Sequence, residues 1–130
     1  MEGILAQQMV RRAPGDVELI VGGQRDPQFG PMVLVGHGGV LVEVLKKTSL
    51  RMAPLTLAEA DEMIAELPGS EILNGVRGMP ALDREALRDA ILRVAHLMAN
   101  FPEIDSIDVN PLLLSSAGAL ALDARVFLKE

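Results

Sequence analysis

Residues 107–125, IDVNPLLLSSAGALALDAR, restrict the fold more than any other stretch. Two apolar runs flank Ser115-Ser116-Ala117-Gly118, a set of turn residues suited to a four-residue hairpin loop. A turn centred between Ser116 and Ala117 sets Asn110 opposite Asp123 and Asp108 opposite Arg125. Side chains alternate along a strand, so these four are expected on one face of the ribbon. The other face then carries Ile107, Val109, Pro111, Leu113, Leu120, Leu122, Ala124 and Val126, all apolar. Pro111 has no N–H, which places its strand at a sheet edge or interrupts it there. An Asn oxygen beside an Asp carboxylate suits a hard cation such as Mg²⁺, which takes few protein oxygens and fills its shell with water and phosphate. The same pattern is compatible with a solvated outer face, on which an Asp–Arg pair contributes little.

Composition narrows the chemistry. The chain has no cysteine, which excludes thiol catalysis, disulfides and Cys-type zinc sites. Hydrophobic residues make up 49% but aromatic ones only 2%, so Leu, Val, Ile, Ala and Met must build the core. With a net charge of −6 the chain is not a general nucleic-acid binder, and nothing draws it to an anionic membrane. No apolar run reaches the ~18 residues of a membrane span, and no signal-peptide pattern opens the chain. The expectation is a single cytoplasmic domain of 130 residues.

Along the chain, Ile4–Met9 reads as a short strand begun almost at Met1. A second strand, Val17–Gly22, puts Val17, Leu19 and Val21 on one face and Glu18 and Ile20 on the other. Residues 22–31 read as a loop, with rigid turn signals at Asp26-Pro27 and Phe29-Gly30-Pro31. Strands follow at Met32–Val35 and Val40–Leu45, separated by the glycine loop 36–39, and Ser49–Met52 extends the sheet. Thr56 and Glu59 form a capping box that opens a helix ending at Leu67, before Pro68-Gly69. Leu57, Ala60, Met63, Ile64 and Leu67 make its apolar face. Residues 71–80 read as a loop. A longer helix from Asp83 to Asn100 has Ala86, Leu87, Ala90, Ile91, Val94, Leu97 and Met98 as its buried stripe. Strands, two helices and a closing hairpin define an α+β fold, an antiparallel sheet with helices packed on one face.

Few other residues stand out. The loop Gly36-His37-Gly38-Gly39 allows backbone N–H groups to approach phosphate, yet its spacing fits equally a tight connection and matches no P-loop. His37 reads as a hydrogen-bonding loop residue before it reads as a base, and His96 lies on the charged side of the long helix. Glu18 and Glu43 are carboxylates within apolar strands, and Arg77 stands in a glycine-containing loop.

The order of ILAQQM, VELIVG, DPQFGPMVLVGHGGVLVEVLK, RMAPL, NGVRGMPALD and IDVNPLLL…ALALDAR resembles the ATP-grasp region of ADP-forming acyl-CoA synthetases. That group is related to the succinyl-CoA synthetase β subunit, and similar modules occur in some fused protein acetyltransferases. The resemblance covers nearly the whole chain but only the C-terminal part of the ATP-grasp unit, the second of its two subdomains. Met1 falls about where the family's hinge strand lies. The resemblance implies an ATP- or ADP-binding, Mg²⁺-dependent ligase part. It converts acid, CoA and ATP to acyl-CoA, ADP and phosphate through a phosphohistidine held elsewhere. It implies Asn110 and Asp123 as Mg²⁺ ligands, and Gln7, Met9 and Val10 as hinge residues meeting the base. Glu18 falls on the ribose side and Arg77 near the phosphates. Partners implied are the N-terminal ATP-grasp subdomain and a CoA-binding, phosphohistidine-bearing domain, with a homodimer as another way to cover exposed surface. On this reading the isolated chain is inactive. Lys47 and Ser106 depart from the acidic residues common in relatives. The alternatives are a non-enzymatic interaction module and a nucleotide-sensing domain of a fused acetyltransferase.

Overall fold

The computed structural model describes residues 13–38, 48–75 and 78–130. The elements, in chain order, are β1 (Val17–Asp26), β2 (Gly30–His37), β3 (Thr48–Met52) and α1 (Leu57–Ala65). A short 3₁₀ turn (Ser70–Asn74), α2 (Arg84–Asn100), β4 (Ile104–Ser115), β5 (Gly118–Ala121) and β6 (Ala124–Leu128) follow. The strands form one sheet in the order β3-β2-β1-β4-β5, and β6 pairs with β4 beyond the end of β5. All pairings are antiparallel. Expected strands at Ile4–Met9 and Val40–Leu45 lie outside the described residues, as do Gly39, Glu43 and Lys47.

The alternation in β1 fixes the two sides of the sheet. Leu19 and Val21 are fully buried, and their partners Val35 and Leu112 are buried on the same side. α2 lies across this side, with Leu87, Ile91, Val94, Ala95 and Met98 turned into the core. α1 packs beside α2 and contributes Ala60, Met63 and Ile64. Its start is held as the sequence implied: Thr56 Oγ1 accepts from the Glu59 N–H at 3.1 Å, and Glu59 Oε1 accepts from the Thr56 N–H at 3.1 Å. Leu57, expected in the apolar face, is exposed because it occupies the first helical position, outside the packed turn. Leu97 is also exposed, and Ala95 takes its place in the stripe.

Residues 22–31 are not a loop. β1 runs on to Asp26 and β2 starts at Gly30, so the connection is a tight hairpin. Asp26 Oδ1 closes it by accepting from the N–H groups of Gln28 (2.7 Å) and Phe29 (2.9 Å). Gly22 and Gly23 are strand residues. A Cβ at Gly23 would stand 2.5 Å from Met98 Cγ, so glycine there is what lets α2 lie close on β1. Gly36 and His37 end β2 rather than form a loop, and residues 70–74 form a 3₁₀ turn within the expected loop.

Candidate functional site

The closing hairpin has the register that its turn implied. Ser115 pairs with Gly118, Leu113 with Leu120 and Leu112 with Ala121. Beyond β5 the same register continues through Val109–Ala124, Asp108–Arg125 and Ile107–Val126. Between these stretches the Asn110 N–H donates to the Asp123 carbonyl at 2.9 Å, and the Leu122 N–H donates to the Pro111 carbonyl at 2.9 Å. Asn110 therefore stands opposite Asp123. Asn110, Asp123, Asp108 and Arg125 are all exposed. The turn is braced locally by Ser115 Oγ, which accepts from the Ala117 N–H at 3.1 Å. It is tied to the helical layer by the Asp83 N–H, which donates to the Ser115 carbonyl at 2.8 Å.

The expected single apolar face of this ribbon is corrected by the sheet. On β1, Leu19 and Val21 are two residues apart; their β4 partners, Leu112 and Val109, are three apart. One extra residue in β4 is a bulge, and it changes which alternate residues face the helices. Before it, Ile107 and Val109 face the core; after it, Leu112 and Leu114 do. Leu113 and Leu120 consequently lie on the opposite side, with Leu113 across from Glu18 of β1. Pro111 is not in an edge strand. It interrupts an interior one, at the point where β4 has no β1 partner.

This second side of the sheet has no helix on it among the described residues. It presents the half-buried Glu18, Ile20, Met32 and Leu34, together with Leu113 and the exposed Leu50 and Met52. The bulged Asn110–Asp123 step lies along the same sheet. Glu18 and these apolar groups thus share one side of the sheet. Gln7, Met9, Val10 and Arg77 lie outside the described residues. Ser106, one of the two departures, faces this side across from Gln24.

No group of three or more His, Cys, Asp or Glu side chains able to hold a metal occurs among the described residues. The Asn110 amide oxygen and Asp123 carboxylate fit instead a hard cation that keeps most of its water and phosphate ligands. His37 does not belong to this surface. It faces the core opposite Leu19, its Nε2 donates to the Pro68 carbonyl at 2.7 Å, and it lines an apolar cavity of about 50 Å³ beneath residues 67–73. The reading of His37 as a base does not fit that placement. Leu113 is the residue whose side of the sheet sequence reasoning missed, because a bulge leaves no mark in apolar alternation.

An ATP-grasp domain model matches residues 1–128. The chain belongs to the ATP-grasp domain family. Among ATP-grasp relatives, an ADP-forming acetate–CoA ligase I of Archaeoglobus fulgidus is 47% identical over the whole chain, which spans 18% of that protein. The β subunit of an ADP-forming acetate–CoA ligase I of Pyrococcus furiosus is 48% identical over 91% of the chain, which spans 51% of the subunit. The ATP-grasp chain therefore spans 18% of one of these two relatives and about half of the other. A solved acetyl-coenzyme A synthetase 1 of Ca. Korarchaeum cryptofilum, in complex with coenzyme A and Mg-AMPPCP, superposes with a TM-score of 0.83 at 44% identity. That match covers 90% of this chain and 55% of the other. No helix among the described residues is long and apolar enough to cross a membrane.

Proposed function

We propose that this ATP-grasp chain supplies the nucleotide- and Mg²⁺-binding half of an ADP-forming acyl-CoA synthetase, acting as its second ATP-grasp subdomain. The observation that supports the proposal is the hairpin register, in which the Asn110 N–H bonds the Asp123 carbonyl and the two residues stand opposite each other. Relatives that are ADP-forming acetate–CoA ligases, and a structural neighbour described with Mg-AMPPCP, support the same reading.

In this reading Asn110 and Asp123 hold the cation against the nucleotide phosphates. Bound there, Mg²⁺ neutralises phosphate charge during phosphoryl transfer, a reaction dominated by positioning and charge stabilisation. The half-buried Ile20 and Leu34 give a planar base apolar side chains to lie on, and Glu18 accepts from ribose hydroxyls. Gln7, Met9 and Val10 complete the base contacts, and Arg77 meets the phosphates. The acid, CoA and phosphohistidine chemistry belongs to partner domains. The single chain binds nucleotide weakly and does not turn over by itself.

Calorimetric titration of Mg·ADP and Mg·ATP into the wild type and Asp123→Ala tests this. Binding to the wild type that weakens tenfold or more in the variant, and that also weakens when Mg²⁺ is chelated, is the expected result. Binding indifferent to Asp123 overturns the metal assignment. No binding, even with the remaining ATP-grasp half of a relative added in trans, overturns the nucleotide role.

A further inference from the structure

β5 and β6 together form one edge of the sheet, and no strand among the described residues pairs with the outer side of β6. Every residue of β6 is exposed, including Val126 (55%), Phe127 (52%) and Leu128 (63%). An apolar edge strand without proline or bulge, and with nothing over it among the described residues, is a template for another strand. We infer that β6 is a self-association edge, on which two copies of this chain join antiparallel about a two-fold axis at Val126.

Backbone polarity supports this geometry. The Asp123 carbonyl and the Lys129 N–H both point inward, the first accepting from Asn110 and the second donating to the Glu103 carbonyl, each at 2.9 Å. The two groups of a trans peptide point in opposite directions, so the Ala124 N–H and the Leu128 carbonyl point outward. Continued alternation turns the N–H and carbonyl of Val126 outward as well. A two-fold at Val126 sets Ala124 opposite Leu128 and Val126 opposite itself, and those are the residues whose backbone groups await partners.

Side chains agree with the same axis. Arg125 falls opposite Phe127 of the second copy, an arrangement that lets a guanidinium lie over a ring. Just beyond the strand, Asp123 falls opposite Lys129, so each end of the pairing joins opposite charges. That local complementarity matters for a chain of net charge −6, in which unspecific association is opposed. A second copy thus fits better than an unrelated strand, which would need the same charges at both ends. The inference does not rest on the nucleotide reading and concerns the metal-free chain, in which no cation takes up the Asp123 carboxylate.

Sedimentation of the chain over a wide concentration range is the test. The expected result is a monomer–dimer equilibrium, the monomer being 13.9 kDa. The Val126 amide should gain protection from hydrogen exchange as concentration rises. Val126→Pro removes an outward N–H that no internal bond uses, and should raise the dimer dissociation constant at least tenfold. Lys129→Glu leaves the backbone bond to Glu103 in place and should raise it about tenfold, since both ends of the pair then repel. It keeps the test decisive if the proline variant does not fold. A chain that stays monomeric throughout, or a dimer indifferent to Lys129→Glu, overturns the inference.

Discussion

Substituting Gly23 by Ala probes how the helical layer holds the strands that carry the site. Gly23 lies on the core side of β1, between Val33 of β2 and Ile107 of β4. A Cβ there would sit 2.5 Å from Met98 Cγ, 2.9 Å from its Sδ and 3.2 Å from Val94 Cγ1. Unstrained carbon contacts lie at roughly 3.5–4.0 Å, so the methyl must displace Met98 by about 1 Å. Met98 is fully buried and Cγ is close to its backbone, so the side chain cannot simply swing away. Overpacking of this kind costs about 1–3 kcal/mol. The smaller conformational freedom of Ala in the unfolded chain returns about 0.4–1 kcal/mol. The net expectation is a loss of about 1–2 kcal/mol, read as a lower urea midpoint at unchanged slope. Met98→Ala alone costs about 2–5 kcal/mol through the cavity it leaves. In Gly23→Ala/Met98→Ala the new methyl enters that space, so the double variant should lose at least about 1 kcal/mol less than the sum of the singles. A neutral Gly23→Ala, or additivity in the cycle, would refute the claim that glycine is there to admit the helix.

The remaining predictions concern the frame around the sheet and the site. Arg25 donates from Nε to the Ile104 carbonyl (3.0 Å) and from Nη2 to the Met98 (2.9 Å) and Phe101 (3.2 Å) carbonyls, gathering the C-terminal end of α2. Arg25→Met should therefore lower stability by about 2 kcal/mol by urea titration, with Arg25→Lys recovering part of it. The hydrogen bond from Arg51 to Glu66 outweighs the opposing effect of burial and, with the nearby charges of Glu66, Glu62 and Glu59, holds the Arg51 guanidinium above its usual pKa. A group raised in the fold contributes fully at any pH below its unfolded pKa, so Arg51→Met should cost the same, about 0.5–1 kcal/mol, at mildly acidic and mildly alkaline pH. A cost that changes between those two conditions would show that Arg51 is not the titrating partner.

Some of this protein was open to reading from local rules. The capping box at Thr56 and Glu59 depends on residues three apart, and it forms as expected. The alternation of Val17–Val21 is a period of two, so Glu18 was placed opposite the core side before any neighbour was known. The hairpin register follows from a turn only a few residues long, and Asn110 meets Asp123 because that loop leaves no other pairing. These are short-range constraints, and the chain carries them in its order of residues.

Tertiary structure decided the rest. Gly22 reads as the end of a strand and Gly23 as part of a loop, yet the close approach of Met98 and Val94 requires a residue without a side chain at Gly23, in the interior of β1. His37 read as a loop residue, but the packing of residues 67–73 over the end of β2 buries it. The apolar run around Leu112-Leu113-Leu114 has no polar residue to mark its faces, so only pairing with β1 shows that Leu113 turns away from the core toward Glu18. The sequence by itself determined which residues meet across the hairpin. Which side of the sheet they occupy beyond Asn110 depended on a bulge, because one extra residue in β4 is absorbed only when a neighbouring strand sets the count.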